Sequence, residues 1–235
     1  MTGSIRLFVN DTLAAGAEIG ASPEQAHYLG SVMRRGPGDP LLLFNGVDGE
    51  YRAEIRSIRR DKAVYAVLTR SRVQLPEPQL TLLFAVLKRD TTDLLVAKAT
   101  ELGVTRLQPV FSARTNAGRL NLDRCGAIAR EAAEQCERLS VPQIGEPARL
   151  LDLLGTWPGD RVLHVAIERG SASPPGVVAF PAALLVGPEG GFTPAELDAL
   201  RRLPFVEPIG LGPLILRAET AALVGLALLQ AASWR

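Results

Sequence analysis

Apolar positions along the chain fall into two regimes. Up to residue 74 they come in short runs, at 5–9, 41–45, 50–58 and 63–69, which are β-branched or alternate with polar residues. That is the period of strands with one face in a core. Turn clusters such as Asn45-Gly46-Val47-Asp48-Gly49 and Arg60-Asp61-Lys62 separate the runs. One helix interrupts them: Ser22, Pro23 and Gln25 give an N-cap, a proline at the first helical position and a capping-box partner, and Ala26, Leu29 and Met33 an apolar stripe. The prediction is a small β-barrel with one helix.

Leu75-Pro76-Glu77-Pro78-Gln79 then favours extended backbone and blocks helix on both sides, so it marks a boundary between domains 1–74 and 75–235. Beyond it, apolar strands alternate with helices: 80–87, 92–102, 106–111 and 123–139, with further strands at 161–166, 183–186 and 206–210. Gly103 is placed to stop the second of these segments in a left-handed conformation. Alternation of this kind predicts an α/β domain with a largely parallel sheet covered on both faces. A helix at 217–232, apolar on nearly every side, predicts a buried position.

Two loops in this second domain have chemical potential. Gly187-Pro188-Glu189-Gly190-Gly191-Phe192 follows an apolar strand and precedes Thr193-Pro194-Ala195-Glu196, a capping box with proline at the first helical position. Glycines in such a turn let a ligand approach the backbone. The loop lacks the Gly-Lys-Ser/Thr ending of a P-loop and the Gly-x-Gly-x-x-Gly of dinucleotide binders. The second loop, Gly210-Leu211-Gly212-Pro213-Leu214-Ile215-Leu216, enters a helix that opens with Arg217 and Glu219. Two such loops at the carboxyl ends of neighbouring strands form the usual ligand position of an open α/β sheet. Read singly, the first is equally an ordinary strand-to-helix connection, and the Arg217/Glu219 pair equally a surface ion pair.

Charge narrows the picture only locally. Lys and Arg total 26 against 25 Asp and Glu, a formal net +1, so RNA contact would have to come from patches rather than a global field. Residues 1–74 hold ten basic against eight acidic residues. Candidate phosphate contacts are the local clusters Arg34 and Arg35 after the first helix, Arg56, Arg59, Arg60 and Lys62 in the hairpin, and Lys88 and Arg89 at the end of the first strand of the second domain. Arg6 on a strand, and Arg114 and Arg119 in a loop after a strand carboxyl end, are better placed to hold phosphate. Affinity resting on such contacts falls steeply with salt. Cys125 and Cys136, with His27 and His164, are too sparse for structural zinc, so no metal is expected. No run suits a signal peptide or a membrane span, which predicts a cytoplasmic protein with no membrane partner.

The glycine loop, Leu211-Gly212 and Ile215-Leu216-Arg217-Ala218-Glu219-Thr220-Ala221 together closely resemble the RsmE family of small-subunit (16S) ribosomal RNA uridine N3-methyltransferases, members of the SPOUT superfamily. Lys98-Ala99-Thr100-Glu101-Leu102-Gly103-Val104, Glu131 to Arg138, Arg6-Leu7-Phe8 and His27-Tyr28-Leu29 carry the likeness through nearly the whole chain. Val32-Met33-Arg34 stands where the family usually has Val-Leu-Arg. The resemblance implies a PUA-like β-barrel that binds RNA, and a methyltransferase domain with a C-terminal trefoil knot. It also implies a homodimer, 16S ribosomal RNA within the small ribosomal subunit as partner, and S-adenosylmethionine held mainly by backbone. By the same resemblance the cofactor is held by Val165 and Ala166 beside His164, by Leu185, Gly187, Pro188, Glu189, Gly190 and Gly191, by Ile209, Leu211, Gly212, Leu214 and Leu216, and by Thr220 and Ala221.

The reaction so implied has a definite requirement, because N3 of uridine carries a proton near neutral pH and the base must be favoured in its deprotonated form. Arg217, at a helix N-terminus whose dipole adds positive potential, is the expected anion stabiliser. Glu219 or Glu189 is the expected proton acceptor. Three rivals are a non-catalytic RNA-binding ribosome-assembly factor, a SPOUT enzyme acting on another RNA nucleotide, and a hydrolase. The last lacks any nucleophile motif near a histidine.

Overall fold

The structure, a computed structural model, describes residues 5–116, 118–167 and 173–233. It divides into two compact units, Met1–Pro76 with Ala133–Val141, and Glu77–Ala132 with Pro142–Arg235. The segment Ala133–Val141, which the sequence places in the second domain, therefore belongs with the first unit.

The first unit is built from β1 (Arg6–Phe8), β2 (Glu18–Gly20), α1 (Pro23–His27), β3 (Pro40–Phe44), β4 (Glu50–Arg59) and β5 (Lys62–Arg72). Its sheet runs β1-β3-β4-β5-β2, with β1 parallel to β3 and the other pairs antiparallel. Alternate residues of the strands meet in one core with Ala26 and Leu29: Leu7 from β1, Ile19 from β2, Leu41 and Leu43 from β3, Ala53 and Ile55 from β4, and Tyr65 and Val67 from β5. The capping box forms as the sequence indicates, the Ser22 hydroxyl accepting from the Gln25 amide. The helix then widens into a π turn over Tyr28–Val32 instead of continuing.

The second unit contains β6 (Leu80–Ala85), α2 (Arg89–Glu101), β7 (Arg106–Phe111), α3 (Leu122–Gln135, whose last turn belongs to the first unit), β8 (Gln143–Ile144), β9 (Ala148–Arg149), α4 (Leu150–Gly155), β10 (Leu163–Ala166), β11 (Ala182–Val186), α5 (Pro194–Arg201), β12 (Val206–Ile209) and α6 (Ala218–Ser233). Every strand pair is parallel and the order is β12-β10-β11-β6-β7-β8, with β9 also on β7. β6 and β11 are buried at every residue, as expected for strands covered on both faces. One face packs Leu83, Val165 and Leu185 with Leu154 of α4 and Leu200 of α5. Against the sheet lies α6, which contacts β6, β11 and α2 and buries Ala222, Leu226 and Leu229. Its fit on β11 is close: a Cβ at Gly225 would stand 2.7 Å from Leu184 Cδ2. Gly103 ends α2 with a φ of 75°, the left-handed stop its position indicates. Among the described residues no helix is long and apolar enough to cross a membrane.

Candidate active site

Strand order creates the site. From β6 the chain steps outward to β7 and β8, then returns to lay β10 on the opposite side, and β11 fills the place between β10 and β6. The reversal is a topological switch point, and ligands of open α/β sheets bind outside the carboxyl ends of strands there. At those ends Ala166 pairs with Ile209 and Val165 with Leu185, so the loops after β10, β11 and β12 leave the sheet side by side. Of the loop after β10, residues 168–172 lie outside the described residues. Its far end is tied in where the Gly210 amide donates to the Ser173 carbonyl at 3.0 Å.

In the loop after β11 two glycines answer to different constraints. A Cβ at Gly187 would stand 3.0 Å from the ring of Phe192, which turns back into the apolar layer beside α4 and α5. Gly191 has a φ of 67° and donates to the Pro188 carbonyl at 2.8 Å, closing a tight turn. Pro188 is buried beneath that turn, while Glu189 and Gly190 stand exposed on its outside. In the loop after β12, Gly212 adopts a φ of 114° with nothing within 4 Å of where a Cβ would be, so the backbone conformation itself calls for glycine. Leu214 and Ile215 are exposed at 76% and 61%, a high value for adjacent apolar residues, and Leu211 and Leu216 are half-buried. Arg217 is exposed where α6 begins, its carbonyl accepting from the Ala221 amide at 2.8 Å. Glu219 and Ala221 are half-buried and Thr220 exposed in the first turn.

A third segment, not expected from the sequence, reaches the glycine loop from β7. Residues 112–115 form a closed turn, with the Thr115 amide donating to the Ser112 carbonyl at 3.1 Å and the Ser112 amide to Thr115 Oγ1 at 2.9 Å. Arg114 Nη1 donates to the Gly190 carbonyl at 2.8 Å. Glu196, the capping-box residue of α5, is buried and accepts from three donors: the Ala113 amide at 2.7 Å, and the Thr193 amide and hydroxyl at 2.8 and 2.9 Å. Burial opposes its charge, but those hydrogen bonds and the Arg114 charge outweigh burial and hold the carboxyl below its ordinary 4.5. The motif Thr193-Pro194-Ala195-Glu196 signals the contact within the helix cap, but nothing local signals the bond to Ala113.

Other residues singled out in the sequence have varied placements. Val165, Leu185 and Ile209 are buried, the first two in the layer beside α4 and α5, so their side chains serve packing and only their backbone lies near the loops. His164 is buried on the other face of β10, and burial pushes its imidazole below the ordinary value despite Glu207, which raises it from 3.5 Å away. Arg34, Lys88 and Arg119 are exposed, and Arg35 is half-buried with Nε enclosed.

Arg6 corrects the expectation made of it. Its side chain is 5% exposed, and its donors go to Glu50 Oε2 at 2.8 Å and to the carbonyls of Ala133, Glu134 and Arg138 at 2.9–3.1 Å. The guanidinium also lies 4.5 Å from the Phe44 ring centroid. Four of its five donors are taken and the group is enclosed, so it is not presented to phosphate: Arg6 fastens 133–141 to the first unit.

Comparison with known proteins bears on this geometry. Residues 74–230 match the family described as the RNA methyltransferase domain, and residues 22–69 the RNA methyltransferase PUA domain. Ribosomal RNA small subunit methyltransferase E of Rickettsia conorii is 32% identical over 230 residues, covering 94% of this chain and 93% of that one. The protein of the same name from Bacillus subtilis is 32% identical over 222 residues, 86% of each. Among solved structures, a Legionella pneumophila protein in complex with the bound cofactor SAM superposes with a TM-score of 0.90 at 28% identity, covering 98% of both chains. Ribosomal RNA small subunit methyltransferase E of Neisseria gonorrhoeae, bound to S-adenosyl methionine, gives 0.90 at 26%, covering 97% of this chain and 98% of that one. With its α/β sheet, its PUA domain and its loops at the switch point, the chain belongs to the RNA methyltransferase family, on the branch of ribosomal RNA small subunit methyltransferase E.

Proposed function

We propose that this protein methylates N3 of a uridine in 16S ribosomal RNA, with S-adenosylmethionine as donor, at the loops that follow β10, β11 and β12. The observation that carries the reading is the meeting of the glycine loop and the 210–217 loop at adjacent carboxyl ends, with exposed Arg217 at the start of α6. The residues present fit the cofactor: the glycine turn at Gly191 and exposed Gly190 and the open side of Gly212 offer backbone without side chain, and Leu214 and Ile215 offer exposed apolar surface for an adenosyl group. When bound, S-adenosylmethionine supplies an electrophilic methyl group.

The protein's own part is to prepare the base. Arg217, with the α6 dipole behind it, stabilises the negative charge that uracil gains as N3 loses its proton. Glu219 in the first turn of α6, or Glu189 on the glycine turn, accepts that proton directly or through water. The first unit, read as domain 1–74, would hold RNA through Arg34 and Arg35, with Lys88 and Arg119 contributing from the second. A homodimer is supported by half-buried Leu223, Val224 and Leu228 on the otherwise apolar α6. A C-terminal trefoil knot is supported by the insertion of β11 between β6 and β10, and the cytoplasm follows from a ribosomal substrate within the small subunit.

Calorimetric titration with S-adenosylmethionine, for the native chain and for Gly190→Trp, tests where the cofactor sits. Binding by the native chain and its loss in the variant are expected. A folded native chain that binds neither S-adenosylmethionine nor its demethylated product would point to an RNA-binding assembly factor.

A further inference from the structure

We propose that Arg114 is a positioning residue through which RNA and cofactor strengthen each other's binding; the inference rests on the methyltransferase reading above. Its guanidinium faces two ways. Toward the protein, Nη1 holds the Gly190 carbonyl at 2.8 Å, and Cβ and Cδ lie 3.6 and 3.5 Å from where a Gly190 Cβ would be, so the side chain lies along the outside of the glycine turn. Toward solvent, the residue is exposed and keeps the rest of a five-donor fork, which matches the bidentate geometry of a phosphate.

The base on which Arg114 stands is rigid. The 112–115 turn is closed by two hydrogen bonds, and buried Glu196 clamps the Ala113 amide to Thr193 at the opposite end of the glycine loop. The turn it contacts is closed by the Gly191–Pro188 hydrogen bond, and its two glycines, Gly190 and Gly191, lose more conformational freedom on ordering than any other residue type. A phosphate that fixes the guanidinium also fixes the hydrogen bond to Gly190, so a cofactor arriving afterwards meets a loop already ordered. Linkage makes the effect reciprocal.

The test is equilibrium dialysis of radiolabelled S-adenosylhomocysteine, which permits no turnover, with and without saturating unmethylated small ribosomal subunits. The proteins are native, Arg114→Ala, Arg114→Lys and Arg119→Ala, the last removing an exposed charge from the same connection. Native protein should bind the nucleoside about 5-fold or more tightly when subunits are present. Arg114→Ala should bind with the same affinity in both conditions, and Arg114→Lys should fall between. Arg119→Ala should keep the native ratio while needing more subunits to saturate. An unchanged ratio in Arg114→Ala, or no ratio in the native protein, overturns the coupling and leaves the methyltransferase reading standing. No binding of the nucleoside by native protein in either condition overturns both.

Discussion

At Arg6 the sequence offers a basic residue on a strand near the start of an RNA-binding domain, and the structure spends that charge inside. The acceptors for Nη1 and Nη2 lie 127 to 132 positions away, beyond the reach of any local pattern. Breaking a buried pair by removing one partner costs about 3–5 kcal/mol, because the remaining charge stays enclosed. Arg6→Ala should therefore lower the midpoint of urea unfolding, and an unaltered midpoint with weakened RNA binding would restore the phosphate role. Glu196 was legible by half: its cap was readable from Thr193-Pro194, but its bond to Ala113 was not. Its folded pKa is depressed, so its stabilising effect is present above the ordinary 4.5 and lost as pH falls through the folded value. The stability difference between native and Glu196→Gln should be widest near neutrality and shrink below about pH 4.5. A difference that stays constant with pH would rule out an ionised anchor.

Elements with long, regular patterns read well from sequence, and those shaped by tertiary contact did not. β6, β7, β10, β11 and β12 all fall within two residues of their expected bounds, since apolar runs between turn residues leave few alternatives. β2, β8 and β9, each of two or three residues, carry too short a pattern to register. α3 stops at Gln135 rather than continuing to 139, and Glu137 turns left-handed with a φ of 61°. α6 reads correctly as an apolar helix, but its seat on β11 depends on Gly225, which composition does not distinguish from any other helical glycine. Gly225→Val should push the helix off Leu184 at a cost of about 1–3 kcal/mol, lowering the thermal midpoint and, because the first turn of α6 carries Thr220 and Ala221, weakening S-adenosylmethionine binding. A variant with native stability and native affinity would show that the close approach carries no constraint.

For the molecule as a whole, strand and helix alternation established the parallel α/β sheet, and the Leu211-Gly212 and Leu216-Arg217-Ala218-Glu219-Thr220-Ala221 strings pointed to the family. The division into units was only partly visible, because the proline-rich segment near residue 76 marks one crossing while the return of 133–141 to the first unit has no compositional trace. A formal net charge of +1 leaves specificity to placed groups rather than to a general field. The central claim is that these loops, with Arg217, methylate N3 of uridine in 16S ribosomal RNA. It is met most directly by incubating unmethylated small subunits with methyl-labelled S-adenosylmethionine, then digesting the RNA to nucleosides and separating them. Native protein should place label in N3-methyluridine, and Arg217→Ala should place none while still binding the cofactor. Label in any other nucleoside, or undiminished N3-methyluridine from Arg217→Ala, would contradict the claim.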